Sequence, residues 1–345
     1  MRPLCRDPER KTLRHLMSEE ACYETLRQRR WPDGVVRCPY CGQADIAGPW
    51  PTPWEAACYR YRCRTCGKAF NDRTGTVFAG SKLPLSAWFL AMFLVEEGKT
   101  IADIARELPC DDPTAHRVVW VIREQQIRLE EERVLQGTVE VDEIYQTAGH
   151  KGRPPRGKEA ERRLGRPPRR RGKKQGRGRG SAAKDAPALI GMVSRDGQVV
   201  VDVVPDVQRS SLEPVFRRRV APGSAIYTDA ASCYAFLEEL GYGHEWVNHS
   251  AGEYARGEVH QNRAENLWSL WRPFILPFQG VAQRNLGAYA KMFQFERNHR
   301  HLNAFGRMML ILDTLLQESV MCFLRFLHGT LSPLFRKACV MPIPI

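Results

Sequence analysis

Three carboxylates within four positions are the first residues of this chain that could do chemistry. Glu140, Asp142 and Glu143 lie in TVEVDEIY, whose alternating apolar residues predict a β-strand. Two further acids follow, Asp229 at a predicted strand end and Glu265 in a predicted helix. Carboxylates that converge from separate elements can hold Mg²⁺, a hard cation that phosphodiester cleavage uses. These acids are therefore candidates for a metal-dependent site.

Strand alternation narrows the choice within the first cluster. Successive side chains point to opposite faces, so Glu140 and Asp142 share one face and Glu143 lies on the other. Alternation alone leaves Glu140 and Asp142 as alternatives. The acids also have ordinary structural explanations, because an Asp after a strand often caps a helix and a Glu on a helix often faces solvent.

The elements that must position these acids begin at Thr138. The patterns predict the order β, β, β, α, β, α, β, α, with an Asp196–Gly197 turn between the second and third strands. This order suits an α/β fold with an RNase-H-like mixed sheet flanked by helices. In such a sheet the first and fourth strands are neighbours and the late helix packs across them, which would bring Asp142, Asp229 and Glu265 together.

Two Cys-x-x-Cys pairs predict a second metal site. Cys38/Cys41 and Cys63/Cys66 are each followed by glycine, and their separation allows a β-hairpin to return the second pair to the first. Four thiolates at this spacing predict a tetrahedral Zn²⁺ site in a zinc ribbon. Cys58 lies nearby without a pair partner, so we expect it in the core.

The stretch TIADIARELPCDDPTAHRVVWVIREQQ predicts a helix, a turn and a second helix. Thr100 can cap the first helix, with Asp103 three residues later as a partial capping box. This layout is that of a DNA-binding helix-turn-helix. The outward-facing residues that would contact DNA are Thr114, His116 and Arg117. An ordinary helix pair inside a bundle is the alternative.

The charge of the chain predicts a polyanionic partner. The formal net charge is +13 and the pI is near 9.4. Residues 150–184 contain 15 Lys or Arg and 2 acids, which equals the whole excess. This insertion is rich in Gly, Pro and Arg, which predicts disorder in the unbound chain, and a solvated linker is the alternative to a DNA-contacting arm. Its candidate DNA-binding residues are Arg169, Arg170, Arg171, Lys173 and Lys174.

Changes in composition along the chain predict five segments, and the composition also predicts where in the cell the protein is found. Residues 1–30 are charged and lack an apolar signal segment, and the most apolar tract, 308–327, carries charges that argue against a membrane span. We therefore expect a cytoplasmic, nucleoid-associated protein. The segments are an N-terminal helical segment at 1–34, the zinc ribbon at 35–80, the helix-turn-helix segment at 81–130, the RNase-H-like domain at 131–305 with the basic insertion at 150–184, and a C-terminal helical tail at 306–345.

Several motifs in combination resemble a known family. They are CPYCG…YRCRTCGKAF, TVEVDEIY…GHKG, IYTDAASCY, VNHSAGEYARGEVHQNRAENLWSLWR and FERNHR, within roughly 38–300. The chain resembles insertion-sequence transposases of the DDE type, the group with an N-terminal zinc ribbon and an ISXO-like transposase domain. The resemblance selects Asp142 over Glu140. It implies that Asp142, Asp229 and Glu265 are an acidic triad that binds Mg²⁺ or Mn²⁺.

Two positions qualify the resemblance. The family often has Lys seven positions after the last acid, where this chain has Arg272, which keeps the charge but not the geometry of an ammonium group. Some relatives have Asn at the third position, so Asn262 is an alternative to Glu265. We favour Glu265 because a carboxylate binds Mg²⁺ more firmly than an amide does.

The function implied by the resemblance is DNA transposition. A homo-oligomer in a synaptic complex would bind double-stranded inverted repeats of its insertion sequence, cleave the ends with two metal ions and transfer the strands to target DNA. The alternative is a catalytically inactive or domesticated transposase-derived protein that only binds DNA. The C-terminal tail ends in RKACVMPIPI, which matches no pattern of the family.

Overall fold

The computed structural model describes residues 18–149, 180–229, 232–247 and 260–317. These residues form two compact units, of which the first contains 18–125 and 302–317 and the second contains 126–301. The boundaries predicted from the sequence stay predictions. No helix in the described ranges combines the length and the apolar character needed to cross a membrane.

The first unit begins with a helix and a small sheet. Helix α1, Glu19–Arg30, starts where the Ser18 hydroxyl accepts a hydrogen bond from the Ala21 N–H at 3.2 Å. The antiparallel sheet follows, in the order β1-β2-β3. Its strands are β1 Ile46–Pro51, β2 Tyr59–Cys63 and β3 Ala69–Asn71.

Three helices follow, and a fourth joins them from the C-terminal side of the chain. They are α2 Leu85–Glu96, α3 Ile101–Glu107 and α4 Asp112–Glu131. Thr100 and Asp103 form the expected capping box at the start of α3. The structure caps α4 at Asp111, whose carboxylate accepts from the Thr114 N–H.

The second unit contains a five-stranded mixed sheet in the order β6-β5-β4-β7-β8. The central strand β4 is antiparallel to β5 and parallel to β7, and β7 is parallel to β8. Gly197 has a positive φ of 88° in the turn between β5 and β6, as expected for the predicted Asp196–Gly197 turn. The strands are β4 Thr138–Tyr145, β5 Ala188–Ser194, β6 Val199–Val204, β7 Ala225–Asp229 and β8 Gly243–Val247.

Helical segments cover both faces of this sheet. On one face lie α5, Arg209–Arg219, and a 3₁₀ helix, Ser232–Leu240, where the sequence predicts an α-helix. On the other face lie α6, Asn262–Ile275, and α7, Leu286–Asn298. All seven residues of β5 are buried, as expected for a strand covered on both sides. The predicted mixed sheet flanked by helices is confirmed.

Side chains of α7 complete the edge of the sheet at β6. Asn298 accepts from the Val199 N–H at 2.7 Å and donates to the Val199 carbonyl at 2.9 Å. Gln294 accepts from the Val201 N–H at 3.0 Å, and Lys291 donates to the Val201 carbonyl at 3.0 Å. These bonds satisfy backbone groups that a further strand would otherwise pair. The FERNHR motif thus contributes Asn298 to packing.

The final helix, α8, Ala304–Gln317, belongs to the first unit. Arg307 donates to the Glu96 carboxylate at 2.7 Å, and Arg29 forms an ion pair with Asp313 at 3.1 Å. These contacts join α8 to α2 and α1. The described start of the predicted C-terminal tail therefore packs against the N-terminal helices.

Candidate functional site

Asp142, in the second half of β4, and Asp229, the last residue of β7, lie on neighbouring parallel strands. These parallel strands pair Glu140 with Tyr227, and two residues further along each strand are Asp142 and Asp229. Paired residues of neighbouring strands share a face, so both carboxylates project from the same face near the same end of the sheet. Both residues are partly exposed. The neighbouring positions predicted for Asp142 and Asp229 follow directly from this register.

Burial raises the pKa of Asp142 to about 6, and the negative charges of Glu143 and Asp229 act in the same direction. Hydrogen bonds from the Glu143 N–H at 2.8 Å and the Trp268 indole at 3.1 Å oppose this shift. Two partly desolvated carboxylates that repel each other form a site that a divalent cation would stabilise. The oxygen donors match the preference of Mg²⁺ and Mn²⁺.

Helix α6 packs closely over Asp142 because the neighbouring strand has a glycine there. Gly191 is the β5 partner of Asp142. A Cβ atom at Gly191 would lie 2.6 Å from Trp268 Cζ2 and 2.8 Å from Leu267 Cδ2. The absent side chain is what lets the Trp268 indole reach Asp142. Sequence reasoning missed this pair, although a glycine inside a strand is a known sign of close approach.

Glu140 fixes the start of α6. Its side chain is fully buried, and Oε2 accepts from the Arg263 N–H at 2.8 Å. Gln261 adds a second link by donating to the Val141 carbonyl at 3.1 Å. A carboxylate at a helix N-terminus also interacts favourably with the helix dipole. Glu140, the acid that alternation left as an alternative, therefore positions α6, and this role explains its place on the same face as Asp142.

The second oxygen of Glu140 faces two basic side chains. Oε1 lies 3.4 Å from Arg195 Nη1 and 3.6 Å from His260 Nδ1. Arg195 Nη1 is also 2.9 Å from His260 Nε2. Within the described residues, neither Glu140 Oε1 nor His260 Nδ1 has a hydrogen-bond partner. Arg195 follows β5 and His260 precedes α6, so the cluster joins the helix start to the β5–β6 turn.

Glu265 and Asn262 both occupy the exposed first turn of α6. They are three residues apart, so they lie on adjacent positions of one helix face. Arg272 is exposed almost two turns later. Among the described residues, Asp142, Asp229 and Glu265 do not form a group of ligand atoms within 4.8 Å. The structure thus places the two aspartates on neighbouring strands, close enough for the charge of Asp229 to raise the pKa of Asp142, and the choice between Glu265 and Asn262 stays a prediction.

Glu143 lies on the opposite face of β4 and holds the segment after β7. Its Oε2 accepts from the Tyr234 hydroxyl at 2.5 Å. Tyr234 is fully buried in the 3₁₀ helix, and burial raises its pKa well above the usual value. The link connects the strand of Asp142 to the element that follows Asp229. Glu143 therefore stabilises the position of the 3₁₀ helix relative to β4, on the face of the sheet opposite Asp142.

The four paired cysteines form a compact cluster in the first unit. The Sγ atoms of Cys38, Cys41, Cys63 and Cys66 all lie within 4.8 Å of one another. The distance from Cys38 to Cys66 is 3.7 Å, and that from Cys41 to Cys63 is 3.6 Å. Zn–S bonds of about 2.3 Å in a tetrahedron place sulfur atoms about 3.8 Å apart. The cluster therefore fits Zn²⁺ closely.

Two thiols of the cluster have pKa values shifted in opposite directions, that of Cys63 downward and that of Cys41 upward to about 12. The Cys66 N–H donates to Cys63 Sγ at 3.4 Å and lowers the pKa of that thiol to about 7. A thiol with a lowered pKa loses its proton to metal readily. Cys58 is fully buried and stands outside the cluster, as expected for a core residue.

The predicted DNA-contacting residues of α4 have different surroundings. His116 and Arg117 are exposed, and Arg117 donates to the Thr114 hydroxyl at 2.8 Å. Thr114 and Arg117 also line a cavity of about 530 Å³ together with Lys82 and Trp88. Whether these residues contact DNA stays a prediction. The predicted residues of the basic insertion, Arg169, Arg170, Arg171, Lys173 and Lys174, lie outside the described residues.

Comparisons with known proteins agree with this two-part architecture. Residues 134–298 match the ISXO2-like transposase domain, and residues 17–69 match the transposase zinc-ribbon domain. An uncharacterized protein in transposable element ISH50 from Halobacterium salinarum is 32% identical over 291 residues, covering 83% of this chain and 92% of that protein.

More distant similarities are weaker. An uncharacterized transposase-like protein from Haemophilus influenzae is 28% identical over 107 residues, covering 31% of this chain and 86% of that protein. A chain from the crystal structure of a pre-cleavage Mos1 transpososome is 10% identical, with a TM-score of 0.23 over 67% of this chain and 78% of that one. This TM-score is too low to support a statement about the fold. The two domain matches and the long ISH50 alignment establish that the chain belongs to the family of zinc-ribbon transposases with an ISXO2-like transposase domain.

Proposed function

We propose that this protein is an active DNA transposase that cleaves the ends of its insertion sequence and transfers them to target DNA in a divalent-metal-dependent reaction. The observation that carries the proposal is that Asp142 and Asp229 each follow the paired residues Glu140 and Tyr227 by two positions on neighbouring parallel strands, and that the charge of Asp229 contributes to the raised pKa of Asp142. Structural acids on a protein surface are usually well solvated. Asp142 is instead partly buried near a second carboxylate, which is an arrangement typical of functional sites.

Asp142 and Asp229 would hold the cation, with Glu265 as the third acid on an RNase-H-like sheet. When bound, Mg²⁺ would neutralise developing charge on the attacking and leaving oxygens of an in-line phosphoryl transfer. The Trp268 indole and the Glu143 N–H each bond one oxygen of Asp142, which fixes the orientation of that carboxylate. Each oxygen keeps a further lone pair for metal.

The remaining residues of the site supply position. Glu140 anchors the start of α6, and Gly191 sets the depth at which this helix packs. Together they determine where Glu265 stands relative to the two aspartates. Positioning and charge neutralisation account for most of the catalysis in phosphoryl transfer, so no covalent enzyme intermediate is required. DNA would be bound by the α4 residues and the basic insertion, in a homo-oligomeric synaptic complex.

The test is cleavage of DNA duplexes that carry the sequences flanking the coding region, in Mg²⁺ or Mn²⁺. Asp142→Asn and Asp229→Asn should each lower cleavage on the order of 10³-fold or more. Glu245→Gln is the matched control, because Glu245 is an exposed acid on the neighbouring strand β8. Wild-type rates in both aspartate variants would overturn the assignment.

The same cleavage assay distinguishes Glu265 from Asn262 as the third metal ligand. Glu265→Gln should abolish cleavage while Asn262→Ala leaves at least about a tenth of it, since a carboxylate binds Mg²⁺ more firmly than an amide. The reverse pattern would assign the position to Asn262. A wild-type protein that binds these duplexes and never cuts them would support the DNA-binding alternative.

A further inference from the structure

The zinc-ribbon sheet has two contrasting faces. Its inner face packs Tyr61, Cys63 and Phe70 into a small core. The register pairs Trp50 and Arg60 on the opposite face, which is exposed, and this outer face continues across all three strands. The residues of the outer face are Ala47, Trp50, Arg60, Arg62, Ala69 and Asn71.

The charge on the outer face is entirely positive. Arg60 and Arg62 are its charged residues, and both are exposed. Within the described part of the chain neither forms an ion pair or a side-chain hydrogen bond. The cross-strand partners of Arg62 are Ala47 and Ala69, whose short side chains leave its guanidinium accessible. Arg64, just beyond β2, is instead paired with Asp45 at 3.5 Å.

An exposed indole lies beside these arginines. Trp50 is 44% exposed although it belongs to a strand, and Trp54, in the following turn, is 72% exposed. The ring of Trp50 lies against the backbone, because an ideal Cβ at Gly48 would be 3.1 Å from Trp50 Cε3. Exposed aromatic residues grouped with unpaired cations mark interaction surfaces more often than isolated apolar residues do.

We propose that this outer face binds the phosphate backbone of double-stranded DNA. Arginine presents a planar fork that matches phosphate geometry, and two arginines two residues apart on one strand stand about 7 Å apart. The proposed function supplies this face with duplex DNA, the form of both the transposon ends and the target. The indole would pack its apolar body against the sugars. Because the choice of DNA rests on the proposed function, its test must separate binding from cleavage.

The experiment measures binding of a fluorescent duplex to the full, zinc-loaded chain at several salt concentrations. Arg60→Ala/Arg62→Ala should weaken binding at least about tenfold and lower the salt slope by about 2, since each lost phosphate contact removes nearly one unit. Arg60→Lys/Arg62→Lys should keep the slope. Trp50→Ala should weaken binding without changing the slope. Arg64→Ala is the matched control, because its charge is already paired with Asp45.

Two readouts keep the outcomes distinct. Zinc content near one ion per chain in every variant confirms that the ribbon is folded, as expected for solvent-facing substitutions. Binding is measured without added Mg²⁺ or Mn²⁺, where no cleavage is expected, so a failure of cleavage in the assay of the proposed function would leave this surface assignment standing. The surface assignment would be overturned if the double alanine variant kept the affinity and the salt slope of wild type. It would also be overturned if the two arginines contributed more to binding of single-stranded DNA or RNA than to binding of the duplex.

Discussion

The cysteine cluster of the zinc ribbon and the proposed acidic metal site bring their ligands together in opposite ways. The four cysteines come from two tight turns on one small sheet, and their sulfur atoms already lie at the spacing of a tetrahedral zinc site. The acids come from two strands and a helix spread over more than a hundred residues, and Asp142 and Asp229 lie on neighbouring parallel strands.

The two sets of ligands differ in their charge and in how far apart they lie in the sequence. Protonated thiols approach one another without charge repulsion, and they lose their protons when the metal binds. Ionised carboxylates repel, and the pKa of Asp142 is raised in part for that reason. The two aspartates are therefore held near each other by their parallel strands, and the Trp268 indole and the Glu143 N–H bond the oxygens of Asp142. The ribbon cluster fits a structural zinc site, and we propose that the acids form a functional one.

Removing the zinc ligands should have the largest effect. We expect Cys38→Ser/Cys63→Ser to lose the single zinc ion and to unfold the ribbon, since structural zinc contributes on the order of 10 kcal/mol or more to such domains. The five-stranded sheet, in the other unit, should remain folded. Metal analysis and hydrogen exchange measure the two effects. Cys58→Ala is the control, because Cys58 is buried outside the cluster; zinc loss in that variant would contradict the ligand set.

Filling the space at Gly191 should disturb the acidic site without touching an acid. Gly191→Ala would place a methyl group 2.6 Å from Trp268 and push α6 away, at a cost of about 1–3 kcal/mol in the free energy of unfolding. Gly287→Ala in the first turn of α7 is the matched control, since nothing lies within 4 Å of its Cβ position and alanine should stabilise the helix by up to about 0.5 kcal/mol. Calorimetry should give opposite signs; a neutral Gly191→Ala would show that α6 is loosely packed.

The charge of Asp142 should destabilise the metal-free site in a pH-dependent way. Its folded pKa of about 6 lies above the usual value of 3.8, so ionisation costs stability as pH rises through this window, and the full cost applies above pH 6. Asp142→Asn should therefore raise the free energy of unfolding at pH 8 by on the order of 1–3 kcal/mol without added Mg²⁺, and by little near pH 4. Thermal denaturation at both pH values measures this difference, with Glu245→Gln as control. An equal effect at both pH values would contradict the charge explanation.

The smallest predicted effect concerns the indole bond to Asp142. Trp268→Phe keeps the apolar contact with Gly191 but removes a hydrogen bond that lowers the pKa of Asp142. We expect the pKa of Asp142 to rise above about 6 by less than one unit, measurable by carbon NMR titration of the carboxyl group. Trp271→Phe, which instead loses a bond to Gln146, serves as the control. A fall in the Asp142 pKa would contradict the role of Trp268.

Much of this organisation could be predicted from local sequence signals. Paired cysteines with following glycines, strand alternation around Asp142 and the Asp196–Gly197 turn each act within a few residues, and the structure agrees with them. The mixed sheet followed from the order of such segments. The family assignment rested on motifs spread along the chain and is confirmed by the domain matches.

What the sequence could not supply were contacts between distant segments. Trp268 meets Asp142 across 126 positions, and Glu140 meets Arg263 across 123. A buried glutamate looks like any other acid in a sequence, and only its helix partner identifies it as an anchor. The 3₁₀ form of 232–240 and the packing of α8 beside α2 likewise depend on tertiary contacts. The identity of the third metal ligand depends on the same kind of information.

Binding of Mn²⁺ to the zinc-loaded protein at pH 8 tests the central claim most directly. Calorimetry or electron paramagnetic resonance on wild type should detect Mn²⁺ binding in addition to the bound zinc. Asp142→Asn and Asp229→Asn should each weaken this binding at least about tenfold, because each removes one carboxylate ligand and its charge. Glu245→Gln should bind like wild type. If both aspartate variants bind Mn²⁺ as tightly as wild type, Asp142 and Asp229 do not form the metal site.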